Sequence, residues 1–317
     1  MLYRKIGFWI NELERISEGE FQPPVTIELD LTNKCQNDCS FCMYARFRKE
    51  HNVNLDKTVC INLLKDLRAL GTSSITFTGG GEPTLHPNFI DIILESKKLG
   101  FKIGLLTNGI LINKIINYVS LFEFIRVSLD SGNRSIYKKV KKSDYFNTVI
   151  RNIKLMRRRR KQLKFKTIIG ASFVVCKENE RTIEQVQKII GPFVDYLQIK
   201  PEVHDLRLNK LKKRKSNIIG IVKRYRPTSI LPCQIAGLVG SISATGDVFF
   251  CCQTKGDARY AFGNVYNEPF SKIWNRRKNI MPDINKCVPC RYMNYAKEFE
   301  KYKKEIEFID LKHKEFL

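Results

Sequence analysis

The feature that most limits what this chain can fold into is a repeat. Six short apolar runs, at 25–31, 74–78, 102–107, 124–129, 166–175 and 194–200, alternate with stretches whose apolar residues fall at helical spacing. Helices are expected over 55–70, 88–99, 111–119, 146–160 and 180–190, with Gly71, Gly100 and Gly191 placed to cap three of them. Strands with a helix between each pair call for a parallel sheet. Right-handed crossovers then leave two architectures, a curved partial barrel or a doubly wound open sheet.

The chemistry-bearing residues choose between them. Cys35, Cys39 and Cys42 follow the first strand, Gly79-Gly80-Gly81-Glu82-Pro83 the second and Thr107-Asn108-Gly109 the third, while Ser128-Leu129-Asp130 ends the fourth. All lie at carboxyl ends of consecutive strands, the face on which barrel enzymes gather their chemistry. The expected fold is therefore α/β, a partial (β/α)6 TIM-type barrel, followed by a small C-terminal domain.

Three thiolates spaced C-x3-C-x2-C can hold three irons of a cubane iron-sulfur cluster. No fourth cysteine is near, since the next is Cys60. A site one ligand short leaves a metal open to an outside ligand, the mark of a catalytic centre. A zinc loop is the competing reading of the same spacing.

With 317 residues, 43% hydrophobic and 28% charged, the chain can bury a sizeable core, and no run approaches the roughly 20 apolar residues of a membrane span. Asn11-Glu12 interrupt the apolar start before it could serve as a signal-peptide core, so a cytoplasmic location is expected. There, ten cysteines mean metal sites or chemistry sooner than disulfides. The net charge of +24 invites a polyanionic partner, although a chain this rich in Lys, Ile and Asn also reflects genome composition.

Four regions are expected: a helical extension over 1–24, the barrel over 25–206, a basic linker over 207–231 and a second cysteine region over 232–317. The extension carries Ile6, Trp9, Ile10, Leu13 and Ile16 at near-helical spacing and ends at Gln22-Pro23-Pro24. The last region holds Cys233, Cys251, Cys252, Cys287 and Cys290, with an expected hairpin over 240–244 and 248–252 and a charged closing helix over 293–313. Cys60 and Cys176 fall within helix and strand patterns and read as buried thiols.

The cysteine loop, Gly80-Gly81-Glu82-Pro83, Thr107-Asn108-Gly109 and Ser128-Leu129-Asp130, in that order at strand ends, resemble the radical S-adenosylmethionine superfamily over about residues 25–200. The resemblance implies a [4Fe-4S] cluster on Cys35, Cys39 and Cys42, its fourth iron chelated by S-adenosylmethionine, and a 5'-deoxyadenosyl radical that abstracts a substrate hydrogen. It implies cofactor contacts from Phe41, Tyr44, Gly80, Gly81, Glu82, Asn108, Ser128 and Asp130. Glu82 would accept from the methionine ammonium, Ser128 and Asp130 would meet ribose or carboxylate, and Phe41 and Tyr44 would pack on adenine. Lys141 stands where similar enzymes pair a basic residue, more often arginine, with the methionine carboxylate.

The C-terminal cysteines resemble the short "twitch" form of the SPASM extension, which implies one auxiliary [4Fe-4S] cluster on Cys233, Cys251, Cys287 and Cys290. Cys252 is an alternative to Cys251, because neighbours on a strand face opposite ways, and structural zinc is an alternative occupant. Relatives of this layout oxidise alcohols, mature sulfatases or crosslink peptides. The expected reaction is oxidative modification of a polar small molecule or peptide side chain. A low-potential donor such as flavodoxin or ferredoxin would supply electrons. Glu202, His204 and Asp205 are the candidate substrate-side bases.

Basic residues over 206–226 leave an anionic substrate, a nucleotide or RNA, as a second reading. The lack of regularly interleaved aromatics counts against single-stranded nucleic acid. A zinc protein that binds nucleic acid is the non-enzymatic alternative. Arg157 to Lys161 reads as the solvated end of a helix.

Overall fold

The computed structural model describes residues 7–202, 219–221, 233–277, 290 and 292–307. His204, Asp205, Cys287 and most of the basic linker lie outside the described residues.

One ten-stranded sheet organises the chain. Its centre is β1 (Thr26–Asp30), β2 (Ser74–Thr78), β3 (Lys102–Thr107), β4 (Phe124–Ser128), β5 (Ile168–Val175) and β6 (Tyr196–Pro201), each parallel to the next. β7 (Ile219–Ile221) extends it parallel to β6. On the opposite edge β8 (Val239–Ile242) pairs parallel with β1, and β9 (Asp247–Phe249) and β10 (Ala261–Asn264) follow antiparallel. The second cysteine region is thus built onto the edge of the barrel sheet. Strand order is linear among the described residues, so the barrel is partial, and the doubly wound alternative does not describe it.

Alternation along the strands separates two faces. Ile27, Leu29, Ile75, Phe77, Ile103, Leu105, Ile125 and Val127 point outward into the helical layer and are completely buried. The alternate positions carry Glu28, Thr76, Arg126, Ser128, Gln198 and Lys200, all half-buried. A helix-covered apolar face and a polar concave face are what a barrel with a substrate space requires.

The helix Lys57–Ala69 shows how local sequence fixes this layer. The Asp56 side chain accepts from the Thr58 and Val59 amides, and Cys60, Leu63, Leu64 and Leu67 form the buried stripe. Gly71, at φ 95°, ends it as expected. Gly191 does not act that way: at φ −49° it leads through Pro192 into a 3-10 turn. The stretch Ile112–Leu121 is also 3-10, where an α-helix was expected. Its three isoleucines and valine restrict χ1 and lower α-helical propensity.

The first helix, Ile10–Ser17, packs through Leu13 onto Ile235, Leu238 and Phe299, so the two ends of the chain share a small core. Phe299 belongs to the closing helix Tyr292–Glu307. Among the described residues no helix is long and apolar enough to cross a membrane.

Candidate active site

The first cysteine loop is held from two sides. The Asp38 amide donates to Lys141 O (3.0 Å) and the Ser40 amide to Val140 O (2.9 Å), fastening the loop to the end of helix Arg134–Lys141. From the other side, Gly81 N donates to Thr32 O (2.9 Å) and Glu82 N to Lys34 O (2.7 Å). Cβ atoms on Gly80 and Gly81 would collide with Asn33 Oδ1 and with Lys34 O, so only glycine permits this approach. Cys35, Cys39 and Cys42 are half-buried, and the Asn108 side-chain N–H reaches Cys35 Sγ at 3.9 Å while bonding Gln36 Oε1 at 2.9 Å. Burial pushes the Cys39 thiol up to about 11, with Lys141 opposing and Asp130, Cys42 and Cys35 reinforcing.

Glu82 is held by donors from its own loop and from β3's. Its carboxylate is buried and accepts from Thr84 N (3.2 Å), Thr84 Oγ1 (2.6 Å), Thr107 Oγ1 (2.7 Å) and Asn108 N (2.6 Å). Burial raises its pKa against these donors. The side chain clamps β2's loop to β3's.

Beside this loop two acceptors are buried without a hydrogen-bond partner of ordinary geometry among the described residues: Asp30 Oδ2 and Asn33 Oδ1. Asn33 Oδ1 abuts Gly80, and Asp30 Oδ2 lies 3.4 Å from where a Gly80 Cβ would be. The Gly80 N–H lowers the Asp30 pKa without making a hydrogen bond of ordinary geometry to Oδ2.

Asp130 and Lys141 pair with each other. Asp130 sits at φ 56°, its Oδ1 accepting from Val174 N (2.6 Å) and its Oδ2 paired with Lys141 Nζ. Both side chains are at most 3% exposed. Burial works to lower the Lys141 pKa, but Asp130 and then Cys39 hold it above the ordinary lysine value. Each Asp130 oxygen thus accepts one hydrogen bond, and Lys141 meets a carboxylate of the protein. Ser128 Oγ lies 3.3 Å from Ser172 Oγ and is half-buried on the concave face. Phe41 lies 5.4 Å below the Lys141 ammonium.

Tyr44 turns toward the second cysteine region. Its hydroxyl donates to Cys252 O (2.7 Å), and its ring lies 4.5 Å from Lys255 Nζ. Lys255 in turn pairs with Asp30 Oδ1 at 2.7 Å. Cys251 and Cys252 belong to a turn, with β9 ending at Phe249 and Thr254 N donating to Cys251 O (3.1 Å), so strand alternation does not distinguish them. Surroundings do. Burial, then Cys252, Cys233 and Cys290, push Cys251 well above the ordinary thiol value, whereas Cys252 helps line a cavity of about 110 Å³ with Glu28, Thr76 and Tyr292. Arg277, stacked 4.5 Å from Trp274, lies beside Cys233 and Cys251; burial lowers its pKa to about 10 despite them. Neither Lys255 nor Arg277 was apparent from the sequence. A charged side chain forced inside a cysteine-rich turn is the signal that could have found Lys255.

Cys60 and Cys176 are buried away from these loops, each thiol pushed up to about 12 first by burial. Glu202 follows β6, half-buried.

The sheet and its rim define an enzyme of the parallel partial-barrel class, with thiols gathered at strand ends. Among known families, the radical SAM superfamily matches residues 29–190 and an iron-sulfur cluster-binding domain, SPASM, matches 233–298. The chain belongs to the radical SAM superfamily.

The probable GTP 3',8-cyclase of Saccharolobus solfataricus is 31% identical over 136 residues, covering 42% of this chain and 44% of that protein. The Synechocystis GTP 3',8-cyclase is 30% identical over 147 residues, covering 45% of each. The match thus spans under half the length of these relatives. An uncharacterized Methanocaldococcus jannaschii protein is 24% identical over 80% of this chain and 84% of its own. In fold, the chain is similar to Streptococcus suis SuiB bound to S-adenosylmethionine (TM-score 0.64, 14% identity, 82% of this chain and 68% of that one). It is likewise similar to anSMEcpe with bound AdoMet (TM-score 0.60, 17% identity, 88% and 96%).

The family's cofactors are a [4Fe-4S] cluster with S-adenosylmethionine and a further iron-sulfur cluster in the SPASM region. The residues present fit them: three half-buried thiols stand in one loop after β1, and Cys251 lies near Cys233 and Cys290 in the second region.

Proposed function

We propose that this enzyme carries out oxidative modification of a polar small molecule or a peptide side chain. When bound and reduced, the first cluster and S-adenosylmethionine supply hydrogen-atom abstraction by a 5'-deoxyadenosyl radical; the protein orients them and excludes water. Cys35, Cys39 and Cys42 would hold that cluster, and Cys233, Cys251, Cys287 and Cys290 the auxiliary one.

The observation that carries the reading is the bond from Tyr44 to Cys252 O, which fastens the first cysteine loop to the turn holding Cys251. An electron acceptor held that close to the barrel mouth suits a net two-electron oxidation, in which a substrate radical must give up an electron. The polar concave face, with Arg126, Ser128, Gln198 and Lys200, suits a polar substrate. Glu202 is the described candidate for taking the substrate proton. A flavodoxin- or ferredoxin-type donor would deliver the reducing electron. Anaerobic turnover with deuterated candidate peptides and polar alcohols tests the reading: deuterium should appear in 5'-deoxyadenosine, with the substrate two electrons more oxidised.

A nucleotide substrate is the second reading, favoured by the likeness to GTP 3',8-cyclases. Tight, salt-sensitive GTP binding together with deuterium transfer from labelled GTP would support it over the first.

A further inference from the structure

We propose that Arg277 is a positioning residue for the auxiliary cluster: its buried guanidinium supplies a counter-charge and an N–H donor to that cluster and raises its reduction potential. The role rests on Cys233, Cys251, Cys287 and Cys290 holding an auxiliary [4Fe-4S] cluster.

Two consecutive arginines close the helix Phe270–Arg276, and their surroundings differ sharply. Arg276 is 45% exposed in its side chain and pairs with Glu268. Arg277 is 8% exposed, and among the described residues no carboxylate pairs with it. Its guanidinium carbon lies 4.5 Å from the Trp274 ring and 5.4 Å from the Phe250 ring. Nη2 donates to Ala236 O, while Nε, also buried, has no hydrogen-bond partner among the described residues.

These contacts place the charge between two cysteine segments. Phe250 immediately precedes Cys251, and the turn carrying Ala236 closes on Cys233 through the bond from Ala236 N to Cys233 O (2.9 Å). Cys233 and Cys251 are the groups whose charge opposes the burial of the guanidinium. A buried cation without a counter-charge is strongly unfavourable, and two neutral thiols supply none. The two ring faces attract the cation but carry no net charge. Thiolates bound to an iron-sulfur cluster do carry charge, and cluster sulfurs accept hydrogen bonds. Reduction adds a negative charge, so a fixed cation with a spare N–H beside the thiolates favours the reduced form. The arginine thereby makes the auxiliary site a stronger electron acceptor.

The test uses the full-length chain carrying Cys35→Ala/Cys39→Ala/Cys42→Ala, reconstituted anaerobically so that the auxiliary cluster is read alone. In this background, a redox titration followed by electron paramagnetic resonance should find Arg277→Met shifted about tenfold or more toward the oxidised form. A tenfold shift is about 59 mV for one electron. Arg277→Lys, which keeps the charge and loses the planar fork, should fall between parent and Arg277→Met. Iron and sulfide per chain should be equal in all three. Because removing the cation can prevent cluster assembly, a second measurement leaves Arg277 in place. With 15N confined to arginine guanidinium groups, pulsed resonance of the reduced cluster should show a 15N coupling that Arg277→Lys removes. A shift under about threefold in Arg277→Met, or no 15N coupling in the labelled protein, would overturn the proposal while leaving the auxiliary cluster in place. Zinc in place of iron in the background protein would overturn the underlying reading as well.

Discussion

The Tyr44 hydroxyl donates a hydrogen bond of 2.7 Å to the Cys252 carbonyl across 208 residues of sequence. Tyr44 stands two positions after Cys42, and Cys252 one after Cys251, so the bond joins the two cysteine regions. Tyr44→Phe keeps the ring over Lys255 and deletes only this bond. The variant is expected to lose about 1 kcal/mol of stability. Hydrogen exchange should quicken in the 251–257 turn and stay unchanged in β3; uniform exchange would show that the bond does not secure the turn.

The neighbouring cysteines should separate cleanly. Cys251 lies among Cys233 and Cys290, while Cys252 helps line the cavity with Glu28 and Thr76. Cys251→Ala is expected to lose about half the reconstituted iron, one of two four-iron clusters, and Cys252→Ala to keep it. Iron and sulfide analysis decides, and the reverse pattern would assign the auxiliary ligand to Cys252.

Breaking the Asp130–Lys141 pair should be costly because both partners are buried. Lys141→Met strands the carboxylate and is expected to cost about 3–5 kcal/mol. Asp130→Asn/Lys141→Met should recover much of that loss in denaturant titrations. If the single and double variants are equally stable, the pair does not hold the helix end behind the cluster loop.

His86 supplies a pH signature. Burial lowers its pKa from the ordinary 6.5, against the Leu55 carbonyl, which raises it; ring nitrogen Nε2 lies 2.9 Å from that oxygen. The unfolded chain then binds a proton more readily than the folded one. Stability from this group is complete above about pH 6.5 and is lost as pH falls toward the lower folded pKa. NMR titration should place the His86 midpoint below 6.5, and His86→Gln should flatten the fall in melting temperature over that window.

Much of this was legible in the chain. The runs 74–78 and 102–107 are strands at those same residues, and the cysteine, glycine and Asn108 loops do sit on one rim, because period-2 and period-3.6 patterns are local signals. Long-range pairings leave no such trace. Nothing near Lys255 announces Asp30, and nothing in β8 announces that it adds to β1. Glu82 and Asp130 were recognisable as residues of the rim, but their partners, Thr107 and Lys141, are set by packing, and those partners turn both carboxylates inward.

The most direct measurement is anaerobic incubation of the reconstituted protein with S-adenosylmethionine and a strong reductant, followed by quantification of 5'-deoxyadenosine. The protein should form 5'-deoxyadenosine, and Cys35→Ala, Cys39→Ala and Cys42→Ala should each abolish it. No 5'-deoxyadenosine from protein whose iron and sulfide are complete would contradict the account.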